Sequence, residues 1–215
     1  EENKSKKLFK LLDKSEEAEA LGNYKNAVLY LNRVITIAKD IFGLNDIRTA
    51  AFISKLGFLF LDQDLPEKAL EYFEETLKIK ETISGVNHID IVSNIQALAE
   101  LNFRIGNYNL SRDYFYRALR INKKVLGKNH TEVAYSLKGL GSAYEGLGDL
   151  NMAGIYYKKS LKIYQKIYGD DHLKTAKLYQ LLGGISLDLN MIDDATLYID
   201  KSYRIVGGNK GYESL

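Results

Sequence analysis

Apolar residues recur every three or four positions along most of this chain, the spacing that places side chains on one face of an α-helix. Between residues 47 and 63, for example, Ile53, Leu56 and Phe60 follow this spacing, and Asp64 ends the run. A helix is therefore predicted to begin near Ile47 and to stop before Asp64.

A second apolar stripe follows at once. Pro66 is tolerated in the first turn of a helix, and Ala69, Phe73 and Leu77 continue the stripe towards Gly85. The two stripes together predict a pair of helices joined by a short turn.

The same pattern returns every 42 residues in four independent columns of similar side chains. The columns are Gly43, Gly85, Gly127 and Gly169; Tyr30, Tyr72, Tyr114, Tyr156 and Tyr198; Ile37, Ile79, Ile121, Ile163 and Ile205; and Gly22, Asp64, Gly106, Gly148 and Asn190. The last column collects residues that tolerate a left-handed backbone, as the end of a helix requires. A repeat protein built from helix pairs is therefore predicted.

Five such pairs account for the chain, which gives an all-α fold. The first helices of the pairs are predicted to begin near Leu8, Ile47, Ile89, Thr131 and Leu173, and the second helices near Asn23, Leu65, Asn107, Asp149 and Met191. We expect one array over residues 1–215, with repeats at about 5–44, 45–86, 87–128, 129–170 and 171–206 and a C-terminal tail at 207–215.

Within each repeat, a bulky residue, a Leu-Gly pair and three later positions form a recognisable signature. The fourth repeat has Leu137, Leu140, Gly141, Tyr144, Ala153 and Tyr157, and the second has Ile53, Leu56, Gly57, Phe60, Ala69 and Phe73. This signature resembles the tetratricopeptide repeat (TPR), whose common form has about 34 residues. The 42-residue unit is similar to the repeats of kinesin light chains. Where the common form has Pro after its second helix, this chain has Lys39, Glu81, Lys123 and Gln165.

The resemblance implies a right-handed α-solenoid that works as a protein- or peptide-binding scaffold or adaptor, with a groove lined by the first helix of each repeat. The family pattern places thirteen residues in this groove: Ser54, Phe58, Asp62, Gln96, Glu100, Phe103, Arg104, Tyr135, Lys138, Ser142, Glu145, Lys177 and Gln180. Aromatic side chains next to charges of both signs suit an extended peptide. We call this set the predicted groove residues.

Composition narrows the choice of partners. With 30 basic and 28 acidic residues, the net charge of +2 provides no large field for nucleic acid or an anionic membrane. The longest apolar run, Leu56 to Leu61, is far shorter than the roughly 20 residues of a membrane span. The absence of Cys fits a reducing, cytoplasmic location, although the sequence begins without Met or an apolar leader and its native N-terminus is expected to be missing.

The candidates for chemistry have structural explanations. His88, His130 and His172 each follow Asn or Asp at a repeat junction, where Asp46 replaces His in the first repeat, so capping of a helix N-terminus is expected rather than metal binding. The Gly-rich run at 139–148 lacks the ending of a phosphate-binding loop. We therefore predict no catalytic site, no cofactor and no enzymatic activity.

The two end repeats depart from the pattern. Lys14, Ser15, Glu16 and Glu17 stand in columns that hold Leu-Gly or similar residues elsewhere, so an unusually polar first helix is expected. The last helix, Met191 to Val206, keeps so many apolar residues that either the array continues beyond Leu215 or two chains associate through this helix.

Two alternatives to the adaptor stay open: a regulatory or sensory module of a larger signalling enzyme, and an architectural element that self-associates through the last helix. Binding of chaperone C-terminal tails is not expected. The family members that do this use Lys, Asn and Arg side chains, whereas the matching columns here hold Ser54, Phe58, Ala97 and Tyr135.

Overall fold

The computed structural model describes residues 2–210, and ten α-helices and one short 3₁₀ helix fill most of that range. The helices are α1 (Glu2–Ala20), α2 (Tyr24–Phe42), α3 (Ile47–Leu61), α4 (Pro66–Ser84), the 3₁₀ helix Ile89–Ile91, α5 (Val92–Arg104), α6 (Tyr108–Leu126), α7 (Thr131–Gly146), α8 (Leu150–Tyr168), α9 (Leu173–Asp188) and α10 (Ile192–Lys210). The predicted all-α fold of helix pairs is confirmed.

The helices form two compact units, the first ending at Ile105 and the second beginning at Gly106. In the first unit, each helix from α1 to α5 packs against the next in sequence. In the second unit, α6 to α10 pack in the same sequential way. The expected single array over 1–215 stays a prediction. Of its expected C-terminal tail at 207–215, residues 207–210 are the last residues of α10, and residues 211–215 lie outside the described residues.

The turn inside each helix pair is set by one residue with a left-handed backbone. The predicted column has φ angles of 69° at Gly22, 54° at Asp64, 84° at Gly106, 80° at Gly148 and 58° at Asn190. Because this conformation ends a helix, the second helices begin within one residue of their predicted starts.

The junctions between pairs use side-chain caps, as predicted. The Asp46 carboxylate accepts a hydrogen bond from the Arg48 backbone N–H at 2.8 Å. The imidazole Nδ1 of His130 accepts one from Glu132 N–H at 3.2 Å, and His172 and His88 cap their helices in the same way. The three histidines therefore serve the fold.

Small residues allow the two helices of a pair to approach closely. Gly57 lies against the ring of Phe73, Gly141 against that of Tyr157, and Gly183 against the side chain of Ile199. Ser15 has the equivalent position in α1, where it is fully buried and its hydroxyl donates to the Ala27 carbonyl at 2.9 Å. At this contact a small hydroxyl with a backbone partner therefore takes the place of glycine.

Two helix starts differ from their predictions. The first helix begins at Glu2 and not near Leu8, because the polar segment before Leu8 continues the helix without an apolar stripe to reveal it. In the third repeat the chain first forms the 3₁₀ turn Ile89–Ile91 after the His88 cap, and the α-helix begins only at Val92.

Within residues 2–210, no helix combines the length and the hydropathy that crossing a membrane requires.

Candidate functional site

The predicted groove residues on α7 occur at 135, 138, 142 and 145, a spacing that places them on one face of the helix. Contacts hold these side chains in place. The ammonium nitrogen of Lys138 lies 5.0 Å from the centre of the Tyr135 ring, and that ring meets Phe115 at a centroid distance of 6.5 Å. A half-buried aromatic ring with a cation over its face is thereby fixed at the surface.

Further along the same face, Ser142 and Glu145 share one partner on α8. The Tyr157 hydroxyl donates to the Glu145 carboxylate at 2.6 Å and lies 3.1 Å from the Ser142 hydroxyl. Burial raises the pKa of Tyr157 well above its usual value, and the bond to Glu145 raises it further. Tyr157 therefore remains a neutral donor that orients an exposed carboxylate.

On α9, Lys177 and Gln180 are both exposed, and the Lys177 ammonium donates to the Gln180 amide oxygen at 3.1 Å. They continue a polar surface on the second unit with a cation and an amide, one helical turn apart.

In the first unit, the predicted groove residues lie on α3 and α5. Phe58 is 55% exposed although its ring meets Phe73 edge to face at 4.9 Å, Ser54 is half-buried, and Asp62 is exposed at the end of α3. An exposed aromatic ring that is held from below by a buried one is a ready anchor for an apolar side chain.

On α5, Glu100, Phe103 and Arg104 are exposed. The Arg104 guanidinium is 3.1 Å from the carboxylate of Asp64, which stands at the turn of the preceding repeat. Gln96 is buried to 9% exposure and offers the least surface of the set.

The structure brings in one residue that the sequence pattern assigned to the scaffold alone. Tyr157 belongs to the periodic aromatic column of the second helices, yet its hydroxyl reaches the predicted groove side of α7. Tyr157 follows Gly141 by the same spacing as Phe73 follows Gly57. This spacing predicts the contact between the ring and the glycine, but it does not predict the contacts of the hydroxyl with Ser142 and Glu145.

In the described part of the chain, no three His, Cys, Asp or Glu side chains are grouped as a metal site would need. The described helix surfaces thus present apolar, amide and charged groups, which are the groups that recognise peptides.

Sequence models of the tetratricopeptide repeat match most of the chain. One matches residues 91–166 and 140–206, a second matches 49–90, and a third matches 11–41. The chain belongs to the tetratricopeptide repeat family. Comparison with curated protein sequences gives no match.

Solved structures share this TPR fold at low sequence identity. BtubC (BKLC) from P. vanneervenii is 19% identical with a TM-score of 0.79, over 92% of this chain and 79% of that one. The nearly identical TPR-like repeats of a kinesin light chain-like protein from Podosopora anserina are 16% identical with a TM-score of 0.77, over 94% and 96% of the two chains. MamA from Desulfovibrio magneticus RS-1 is 17% identical with a TM-score of 0.67, over 94% and 96%. At this identity the likeness concerns the fold.

Proposed function

We propose that this TPR protein binds an extended segment of a protein partner along the exposed faces of its first helices. The observation that carries the proposal is the face of α7, where Tyr135 and Lys138 contact each other and Ser142 and Glu145 both contact Tyr157. Side chains that are already oriented lose less conformational entropy when a ligand binds.

The chemistry of these faces indicates how such a segment is held. Phe58 and Tyr135 are anchors for apolar side chains, while Lys138, Glu145, Lys177 and Gln180 bind charged or amide groups and fix the register. Because these faces carry charges of both signs, they favour a peptide that has both acidic and basic side chains. The sequence pattern gives no reason to expect a chaperone C-terminal tail as the ligand.

A random-peptide library displayed on phage and selected on the immobilised protein tests the proposal. Enriched peptides are then synthesised, and their dissociation constants are measured by fluorescence anisotropy. Tyr135→Ala/Lys138→Ala is expected to weaken binding at least about tenfold, since residues at the centre of such interfaces each contribute more than about 1 kcal/mol.

The matched control is Lys124→Ala/Lys158→Ala, which removes two exposed lysines from the second helices α6 and α8. It should leave the dissociation constant unchanged, with circular dichroism confirming that both variants remain helical. The proposal fails if no peptide is enriched, or if both double variants bind the selected peptides equally well.

A second candidate function is self-association through α10. Ile192, Ile199, Tyr203 and Val206 lie at helical spacing on this helix, and their exposed fractions are 55%, 43%, 79% and 39%. Sedimentation equilibrium at high micromolar concentration is expected to detect dimers that Tyr203→Glu abolishes and the neighbouring Arg204→Glu does not. A protein that stays monomeric at that concentration contradicts this function.

A further inference from the structure

A basic cleft of about 840 Å³ lies in the second unit, between the second helices α6 and α8. Leu119, Val133 and Leu137 are buried and, with Ile163, supply its apolar floor, and Tyr116 and Tyr156 also line it. None of the predicted groove residues lines it. Val133 and Leu137 belong to α7, so the cleft is distinct from the face of α7 that carries the predicted groove residues, and not from the whole helix.

Every charged residue that lines the cleft is basic. The six are Arg120, Lys123, Lys128, Lys159, Lys162 and Lys166. Among the described residues, no carboxylate forms an ion pair with Lys123, Lys128, Lys162 or Lys166. Six cations around one cleft repel each other, so a bound anion relieves an unfavourable energy as well as gaining contacts.

Three of the six cations, Arg120, Lys159 and Lys162, belong to two columns that follow the repeat period. The same two columns of the second helices hold Arg117 and Arg120 on α6, Lys159 and Lys162 on α8, and Lys201 and Arg204 on α10. In the first unit these columns are not doubly basic: they hold Arg33 with Thr36, and Glu75 with Lys78.

The net charge of the two units confirms this difference. Residues up to Ile105 include 14 basic and 17 acidic residues, a net charge of −3, whereas residues from Gly106 include 16 basic and 11 acidic residues, a net charge of +5. The small overall charge of +2 therefore conceals a basic second unit.

We infer that this cleft binds an acidic peptide segment of a partner protein, with an apolar side chain on the floor and flanking Asp or Glu carboxylates on the lysines. The apolar floor distinguishes this ligand from one bound by charge alone. The Tyr156 ring offers little surface for stacking on nucleic-acid bases. Tyr156 is 8% exposed and one face of its ring stacks on Tyr144 at 5.4 Å, while the Tyr116 hydroxyl is bonded to those of Tyr144 and Tyr156 at 2.9 Å and 2.5 Å.

The experiment uses a short fluorescein-labelled peptide in which Glu pairs flank Leu residues, titrated with the protein at low salt. Saturable binding is expected, and it should weaken as salt is added. Replacing Glu by Gln in the peptide should abolish binding, and replacing Leu by Ser should weaken it. A single-stranded oligonucleotide and phosphatidylserine vesicles are anionic, but neither carries an apolar side chain flanked by carboxylates. Both should bind less tightly than the peptide.

Lys123→Glu/Lys162→Glu reverses two charges of the cleft, and we expect it to weaken peptide binding about tenfold or more. The matched control, Lys124→Glu/Lys158→Glu, makes the same charge change on the same two helices at exposed lysines outside the cleft, and should change the affinity by less than about twofold. Tyr135→Ala/Lys138→Ala should have no effect, which separates this site from the proposed peptide-binding faces of the first helices.

The inference is overturned if no saturable binding occurs, if the Gln peptide binds as well as the Glu peptide, or if the two charge-reversed variants lose the same affinity. Tighter binding of the oligonucleotide or the vesicles than of the peptide also overturns it, because charge alone would then explain the cleft.

Discussion

Tyr157 lies directly over Gly141, so closely that a Cβ atom at position 141 would be 2.4 Å from two carbons of the ring. Both residues are buried, Tyr157 completely. The contact joins α7 to α8 in the fourth repeat, and it explains why the repeat signature requires a small residue at this position.

Gly141→Ala is therefore expected to destabilise the protein. The ring cannot move away within a packed core, and overpacking of this kind costs about 1–3 kcal/mol. Urea denaturation followed by circular dichroism measures the change in the free energy of unfolding.

Gly184 on α9 provides the matched control. It also lies inside a helix, but it is exposed, and a Cβ there meets nothing within 4 Å. Gly184→Ala should stabilise the protein by about 0.5–1 kcal/mol, because alanine loses less backbone entropy on folding. If both alanine variants change stability in the same direction, the close contact does not determine the role of Gly141.

Tyr157→Phe tests the hydroxyl without changing the ring. It removes the donor to Glu145 and the contact with Ser142, and we expect a loss of about 0.5–1.5 kcal/mol in the free energy of unfolding. A double-mutant cycle with Glu145→Gln should give a coupling energy clearly different from zero, since the two groups are in direct contact. Strict additivity would show that the hydrogen bond is absent in solution.

The histidine caps are expected to behave as Asp46 does. His130→Ala leaves the Glu132 N–H without its acceptor and should cost about 1 kcal/mol, whereas His130→Asp should retain most of the stability. Thermal unfolding of the two variants measures this difference. Equal losses in both would mean that the imidazole stabilises the junction by packing and not by capping.

The sequence predicted the helix pairs well because their ends are encoded locally. One residue with positive φ determines each inner turn, and one side-chain acceptor caps each outer junction, so the columns that contain Gly148 and His130 locate α7 and α8. The start of α1 was missed, since its first residues are polar and exposed and the apolar period carries no information about them.

Surfaces that depend on two helices were harder to predict. Gln96 and Glu100 are one helical turn apart on the same predicted face, yet Gln96 is buried and Glu100 exposed, because burial depends on the helices that pack beside α5. The basic cleft likewise depends on α6 lying near α8. Arg120 and Lys162 are 42 residues apart, but nothing in this spacing shows that they line one cavity.

Alkaline pH is expected to destabilise this protein, because the folded environment of several tyrosines disfavours their ionised form. Hydrogen bonding to Tyr116, together with burial, raises the pKa of Tyr144 to about 12, and burial foremost raises those of Tyr164 and Tyr179 to about 12. The ordinary value is 10.0, so between about pH 10 and 12 the unfolded chain releases protons that the folded chain keeps. The stabilisation is complete below pH 10 and is lost as the pH rises towards 12.

The melting temperature should therefore be level up to pH 10 and fall above it, and tyrosinate absorbance should increase together with the loss of helicity. Tyr164→Phe, which cannot ionise, should make the fall less steep, and a melting temperature that stays level to pH 12 would contradict the link between these tyrosines and stability.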